Sequence, residues 1–277
     1  MRMLIIPDTH GRTFWKDVIK THPIEDFDKV VFLGDYVDPY SSFEPISVED
    51  TIQNFKEIVE FKKQNMNKVI LLLGNHDFYY FFKIPGNARY SHLRHFDYEE
   101  IFEENRNLFV IAHETEGTLF THAGYLKGWE DYVNDCAGRY QIDIRLEPTA
   151  ESLNSLINVK DGEYAFNIVS RERGGRYSYG SCIWADVSEH YYNEGYKGKY
   201  QVFGHTIQLD LAEYYKTGSN DDIGDGKPRI RKNYAMLDCR HGFVYEENGE
   251  DRKFFQIEHD GSETQVYAAE NAADYLY

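Results

Sequence analysis

Cysteine is scarce and scattered. The chain has three in 277 residues, Cys136, Cys182 and Cys239, too few for a disulfide scaffold and without the CxxC spacing of a cysteine zinc site. Such usage suits a reducing cytosol, so a cytoplasmic location is expected. Long apolar runs are missing as well. None approaches the ~20 residues that cross a bilayer, and Met3-Leu4-Ile5-Ile6, ahead of Pro7 and Asp8, is too short and too early for a secretory segment. No membrane partner is expected. Positive charge is in deficit, with 30 Lys and Arg against 47 Asp and Glu and a formal net charge of -17. That field repels polyanions, and no extended basic stripe offsets it, which disfavours a stable nucleic-acid complex held by charge. Phosphate can still bind where cations reverse the local potential. No Pro/Gly/Ser-rich linker, repeat or low-complexity tract divides the chain. One domain is therefore expected over residues 1–277, with a motif-bearing core, 1–210, and a strand-rich part, 211–277, that completes a second sheet.

What the sequence does have is five short polar clusters, each directly after an apolar run of strand type. Asp8-Thr9-His10 follows 3–7, and Gly34-Asp35-Tyr36-Val37-Asp38 follows 30–33. Gly74-Asn75-His76-Asp77 follows 69–73, Thr121-His122-Ala123-Gly124 follows 118–120, and Gly204-His205-Thr206 follows 201–203. Helices over 12–21 and 48–64, the latter opened by Ser47 with Asp50 as a capping pair, set the first three strands in a βαβαβ order with parallel pairing. Beyond Asp77 come an aromatic run, 78–82, a helix over 98–105 and a strand pair, 108–112 with 118–120, around Glu116-Gly117. Strands at 201–203, 234–237, 243–246 and 254–257 follow. The pattern predicts an α/β fold with two packed sheets and helices outside. Strands that end at one rim deliver the residues after them into one crevice, where open α/β sheets bind ligands.

The residue types in that crevice are those of a metal site. Asp8 and His10, two apart on an extended segment, point the same way and can grip one ion together. The two oxygens of Asp35 can bridge two cations, and Gly34 lets the backbone come close. Asn75 offers a neutral carbonyl oxygen, and His122 and His205 offer imidazole nitrogens. This set suits Mn, Fe or Zn better than Mg or Ca, with Mn the first expectation. Taken singly, Asp8-x-His10 is weak evidence and reads more readily as a strand-end turn; five clusters in order point to metal. His76, directly after Asn75, is a candidate general acid.

Together, Asp8-x-His10, Gly34-Asp35-x-x-Asp38, Gly74-Asn75-His76-Asp77, His122 and Gly204-His205 resemble the five motifs of the calcineurin-like metallophosphoesterase superfamily over residues 8–206. Gly34-Asp35-Tyr36-Val37-Asp38, Ile183-Trp184-Ala185-Asp186, and Gly204-His205-Thr206 in place of GHxH are most similar to its phosphoprotein phosphatase and symmetric dinucleotide tetraphosphatase branch. The resemblance implies a four-layer αββα sandwich and a dinuclear metal centre. Asp8, His10 and Asp35 would hold the first cation, and Asp35, Asn75, His122 and His205 the second. It further implies hydrolysis of a phosphomonoester or nucleotide-type phosphoanhydride by in-line attack of a metal-bridging hydroxide. His76 would be the general acid, oriented by Asp38. Phosphorylated small molecules, nucleotides and phosphoproteins are the implied substrates.

The chain departs from the phosphoprotein phosphatases where they grip phosphate. Pro39 stands where they place an arginine, and Asp77 is followed by Phe78 and Tyr79. Protein serine/threonine phosphatase activity thus remains an alternative, as do phosphodiesterase action and a scaffold that kept the fold and lost the chemistry. A replacement clamp is sought among Arg171, Arg173 and Arg176, with Arg173 and Arg176 the phosphate-binding candidates. Arg89 and Arg94, with His92 and His95, form another basic stretch after the third motif, with an exposed loop the first expectation and a place at the border of the cleft the alternative. Tyr177, Tyr179, Tyr191, Tyr192 and Tyr196 are expected mainly as filler, with one or two free to stack on a base or aryl group. Residues 219–226 read as an acidic turn rather than a calcium loop.

Overall fold

A strand that reads Met-Leu-Ile-Ile has no polar face to turn to water, so it belongs inside a sheet covered on both sides. The computed structural model describes residues 1–40, 45–86, 89–192, 198–210 and 224–268. In it this strand, β1 (Arg2–Ile6), is the fourth of seven in a mixed sheet. The chain continues through α1 (Phe14–Thr21), β2 (Lys29–Phe32), α2 (Val48–Gln64), β3 (Val69–Leu72), α3 (Asn75–Phe81) and α4 (His95–Glu104). Next come β4 (Phe109–Val110), β5 (His113–Glu114), β6 (Thr118–Phe120) and four helices, α5 (Lys127–Tyr140), α6 (Ala150–Ser155), α7 (Glu163–Phe166) and α8 (Val187–Tyr192). The last strands are β7 (Tyr200–Phe203), β8 (Leu209–Asp210), β9 (Gly224–Asp225), β10 (Arg229–Ile230), β11 (Tyr234–Met236), β12 (Gly242–Asn248), β13 (Asp251–Ile257) and β14 (Glu263–Val266).

The first sheet runs β14-β13-β12-β1-β2-β3-β4, with β1 to β4 parallel and β12 to β14 antiparallel. The second runs β10-β11-β7-β6-β5, parallel at its centre and antiparallel at both edges. Alternate residues of β1 and β2 divide between two cores, as the two-residue period of a strand requires. Leu4, Ile6, Val30 and Phe32 meet the helices at Trp15, Phe55 and Ile58. Met3, Ile5 and Val31 enter the space between the sheets with Phe120, Val202, Ala235 and Phe243. Val187 of α8 covers the second sheet at Phe203, Tyr234 and Met236. This is the α/β architecture of two mixed sheets with helices that the sequence predicts. The cap on α2 also forms as read: Ser47 Oγ accepts the Asp50 N–H at 3.0 Å, and Ile52, Phe55, Ile58 and Val59 bury one face.

Three local expectations change. The aromatic run after Asp77 is helical, and every residue of α3 is buried. The strand pair around Glu116-Gly117 is narrower than expected, because β4 joins β3 in the first sheet and β5 is the partner of β6. The C-terminal part does not serve the second sheet alone; β10 and β11 do, but β12, β13 and β14 extend the first. β12 can do so because both its faces are apolar, Phe243 and Tyr245 entering the inter-sheet core and Val244 the helical one. Residues 211–223, with most of the acidic stretch, and Tyr196 lie outside the described residues. No helix among the described residues is long and apolar enough to cross a membrane.

α8 also sets an acid limit on the fold. His190 is 1% exposed, with Nε2 2.9 Å from the Ala123 carbonyl oxygen, and burial presses its imidazole down to about 4. The unfolded chain takes up that proton near the ordinary value of 6.5, the folded chain only near 4. Stability is therefore full above the upper value and falls as pH drops through the window, by at most about 1.4 kcal/mol per pH unit for this group. Urea melts of wild type and His190→Gln across that window should give a shallower pH slope in the variant. Identical slopes would mean that His190 does not set the acid limit.

Candidate metal centre

Strands of both sheets end facing one another, and the chain leaving each carries a polar cluster. Asp8 and His10 follow β1, Asp35 and Asp38 follow β2, Asn75 and His76 open α3 after β3, His122 follows β6, and His205 follows β7. The turns require left-handed backbone at His10, Asp35, Asp38 and His205, with φ of 44, 53, 55 and 67°. That conformation costs about 1–3 kcal/mol at a non-glycine residue and concentrates at functional sites. Backbone also walls the crevice. A Cβ on Gly74 would lie 2.1 Å from Asp35 Oδ1, and one on Gly204 2.1 Å from Asp8 Oδ1, so only glycine fits at either place.

Asp8, His10 and Asp35 form one group of ligand-type atoms within 4.8 Å of one another, and Asp35, His122 and His205 form a second. Asp35 belongs to both. Its Oδ2 lies 3.3 Å from His10 Nε2 and 3.5 Å from His122 Nε2. His122 Nε2 is also 3.0 Å from Asn75 Oδ1 and 3.1 Å from His205 Nδ1. The far ring nitrogens are tied to backbone, His10 Nδ1 to the Val37 carbonyl and His122 Nδ1 to the Leu33 carbonyl, each at 2.8 Å. Those bonds turn both Nε2 atoms inward, as ligating imidazoles are held. Asp8 Oδ1 and His205 Nε2 are buried without a hydrogen-bond partner among the described residues, which is costly unless something else compensates them. A mixed set of carboxylate, amide and imidazole atoms with two such orphans fits borderline divalent cations.

The cluster is short of positive charge. Burial, and then Asp238, push the Asp8 carboxyl well above its usual range. Burial acts on Asp35 too, but His122 and His76 outweigh it and hold that carboxylate well below. Burial lowers His10 to about 3, and burial with the Arg173 charge lowers His205. At His122 burial is overcome by Asp35 and Asp8, which lift the imidazole to about 10. His122 thus answers the same negative field that would draw a cation.

Beside this cluster stands the pair His76 and Asp38. His76 Nδ1 lies 2.8 Å from Asp38 Oδ2, and Tyr80 donates its hydroxyl to Asp38 Oδ1 at 2.5 Å. The His76 backbone N–H donates to Asp35 Oδ1 at 2.9 Å, which ties the pair to the cluster. Arg89 is not in an exposed loop. A left-handed residue with φ 58°, it is half-buried, with Nη1 2.7 Å from the Asp38 carbonyl and Nη2 2.9 Å from His76 Nε2. Its guanidinium lies 3.4 Å from the centre of the Tyr40 ring. Arg94 is on the surface as expected, paired with Asp97 and Glu49.

Of the arginines before the Trp184 segment, Arg173 reaches the site, pairing with Asp186 Oδ2 at 2.8 Å and donating to Thr206 Oγ1. Arg176 lies over its neighbour Tyr177, 5.4 Å from the ring centre. Tyr177 and Tyr179 pack against the core. Two buried carboxylates had no role assigned from sequence. Asp77 accepts the N–H groups of Asp35 at 2.7 Å, Tyr36 at 2.9 Å and Gly74 at 2.9 Å, and burial lifts it to about 8. Asp238 is 1% exposed and acts on Asp8, while Arg12 donates to the Asp8 carbonyl at 2.9 Å. The signal for Asp238 was present, since it too follows an apolar strand, β11. A cavity of about 1190 Å³, lined by Thr115, Lys199, Tyr200 and Arg252, lies where β7 begins and contains none of these residues. Cavity size therefore does not locate the chemistry here.

The profile of the family described as calcineurin-like phosphoesterase matches residues 1–209. No curated protein sequence matches the chain. Among solved structures, a cold-active protein tyrosine phosphatase is similar at 14% identity over 96% of this chain and 79% of its own, with a TM-score of 0.50. A protein serine/threonine phosphatase from Saccharomyces cerevisiae matches at 15% identity over 98% and 82%, with a TM-score of 0.43. A metallophosphoesterase from Sphaerobacter thermophilus matches at 13% identity over 93% and 89%, with a TM-score of 0.39. At such identities the likeness is one of fold.

Proposed function

This chain belongs to the calcineurin-like phosphoesterase family, and from that premise we propose that it hydrolyses a phosphomonoester or a nucleotide-type phosphoanhydride at a pair of cations. The observation that carries the reading is Asp35, shared by two ligand groups and bonded to the backbone of His76. In this reading Asp8, His10 and Asp35 hold one cation, and Asp35, Asn75, His122 and His205 the other, with manganese the first choice of metal and iron or zinc next. The pair would lower the pKa of water and neutralise phosphoryl oxygens.

The remaining work falls to the protein's own groups. Asp38 fixes His76 through Nδ1, which leaves Nε2 as the atom that delivers a proton to the departing oxygen. Tyr80 takes the second oxygen of Asp38 and so fixes the rotation of that carboxylate. Arg173, beside Thr206 and hence next to His205, is the better positioned of the two phosphate-binding candidates taken from the sequence. Arg176, turned onto Tyr177, has no part in this reading.

The test is hydrolysis by metal-stripped protein before and after adding manganese, on an aryl phosphomonoester, a bis-aryl phosphodiester, a phosphopeptide and a symmetric dinucleotide polyphosphate. Turnover should need the metal, and His76→Asn should cost about 10²- to 10⁴-fold on esters with a basic leaving group and less on nitrophenyl phosphate. Protein that holds two metals per chain and turns over no member of the panel would sink the reading.

A further inference from the structure

Among the described residues, one guanidinium beside this centre, that of Arg89, forms no ion pair. Arg94 is paired with Glu49 and Asp97, and Arg173 with Asp186, as befits a chain carrying -17. The polar contacts of Arg89 among the described residues are the Asp38 carbonyl and His76 Nε2, neither of them charged partners. The group is nonetheless held in place by its stack on Tyr40. It is also felt inside the cluster: it adds to the burial that lowers His10 and works against the burial that raises Asp38. Pro39 leaves the 38–40 segment with no cation of its own, and that segment docks one from 51 residues away.

We propose, resting on the phosphoesterase reading above, that Arg89 binds the phosphoryl group and makes the site select substrates ending in a doubly charged phosphate. A guanidinium has five donors in one plane, and stacking on Tyr40 occupies its face, so its edge can offer phosphate oxygens a two-point grip once Nη2 leaves His76. An arriving phosphate exchanges with His76 for the Nη2 donor, which frees the Nε2 lone pair to take a proton from water and pass it to the leaving oxygen. A diester has two unbridged oxygens and one charge, which the cation pair would take up. A monoester keeps a third oxygen and a second charge for Arg89.

The experiment compares manganese-loaded wild type, Arg89→Ala and Arg89→Lys by calorimetric titration with inorganic phosphate, and by kcat and KM on an aryl phosphomonoester and a bis-aryl phosphodiester. Arg89→Ala should bind phosphate about 30-fold more weakly at unchanged metal content, and lose a like factor on the monoester, chiefly in KM, but under about threefold on the diester. Arg89→Lys should recover part of each, as a point charge without the fork, and it carries the test should the alanine variant not fold. Equal phosphate affinity in wild type and variant, or a uniform loss on both esters, overturns the proposal. Phosphate binding that depends on Arg89 in a protein with no turnover would keep Arg89 as an anion-binding residue and overturn the phosphoesterase reading instead.

Discussion

Asp35→Asn should lower phosphoester turnover by at least about 10³-fold, and metal content should fall below two per chain. Asparagine keeps the volume of the side chain and one oxygen, so the His76 N–H that Asp35 Oδ1 accepts can still be served. It cannot replace the negative oxygen that faces both His10 and His122. Other candidate ligands serve one group each, whereas Asp35 serves both. In the proposed centre, removing its charge would leave each cation less neutralised and unlink the two. Inductively coupled plasma analysis of dialysed protein, read beside kcat/KM on an aryl phosphate, checks this. Two retained metals with activity within tenfold of wild type would refute the shared-ligand role.

A second large effect is expected at a residue that needs no contact with metal or substrate. Asp77→Ala removes the acceptor of three buried backbone N–H groups, those of Asp35, Tyr36 and Gly74. An orphaned buried donor costs roughly 1–3 kcal/mol, so the metal-free protein should lose about 3–5 kcal/mol of stability. The same bonds hold the Asp35 turn in its left-handed conformation, so metal affinity should fall at least about tenfold as well. Asparagine is no substitute, because its amide brings one acceptor oxygen where two are used. Urea unfolding of stripped protein measures the first effect and metal titration the second. A stability loss under about 1 kcal/mol would mean that water or a rearranged loop serves those donors.

The gathering of the candidate ligand residues was legible because its signal is local: a short apolar strand, then an acid, amide or imidazole at its end. Asp8, His10, Asp35, Asn75, His122 and His205 each follow that grammar, and parallel pairing brings the ends together within each sheet, while the packing of the two sheets joins the two sets. The βαβαβ opening was legible for the same reason, since Ser47, Ile52 and Phe55 announce α2 within a few residues. What was not legible depends on distance. Nothing near Arg89 in sequence says that its guanidinium will meet Asp38 and Tyr40 across 51 residues. β12 is apolar on both faces, so its composition suits either sheet, and only its pairing with β1 decides. Asp77 was read as part of a motif, but its task, accepting three backbone hydrogens, appears only once the neighbouring turn is in place.

The two groups that meet at Asp35 come from different layers. Asp8 and His10 leave the first sheet, and His122 and His205 leave the second. Ions held there would act as a clasp across the seam between the sheets, joining chain from residue 8 to residue 205. Architecture and reactivity would then rest on a single side chain. In that reading Asp35 could not be changed for one without the other, whereas Arg89 and Arg173, which belong to neither ligand group, could be.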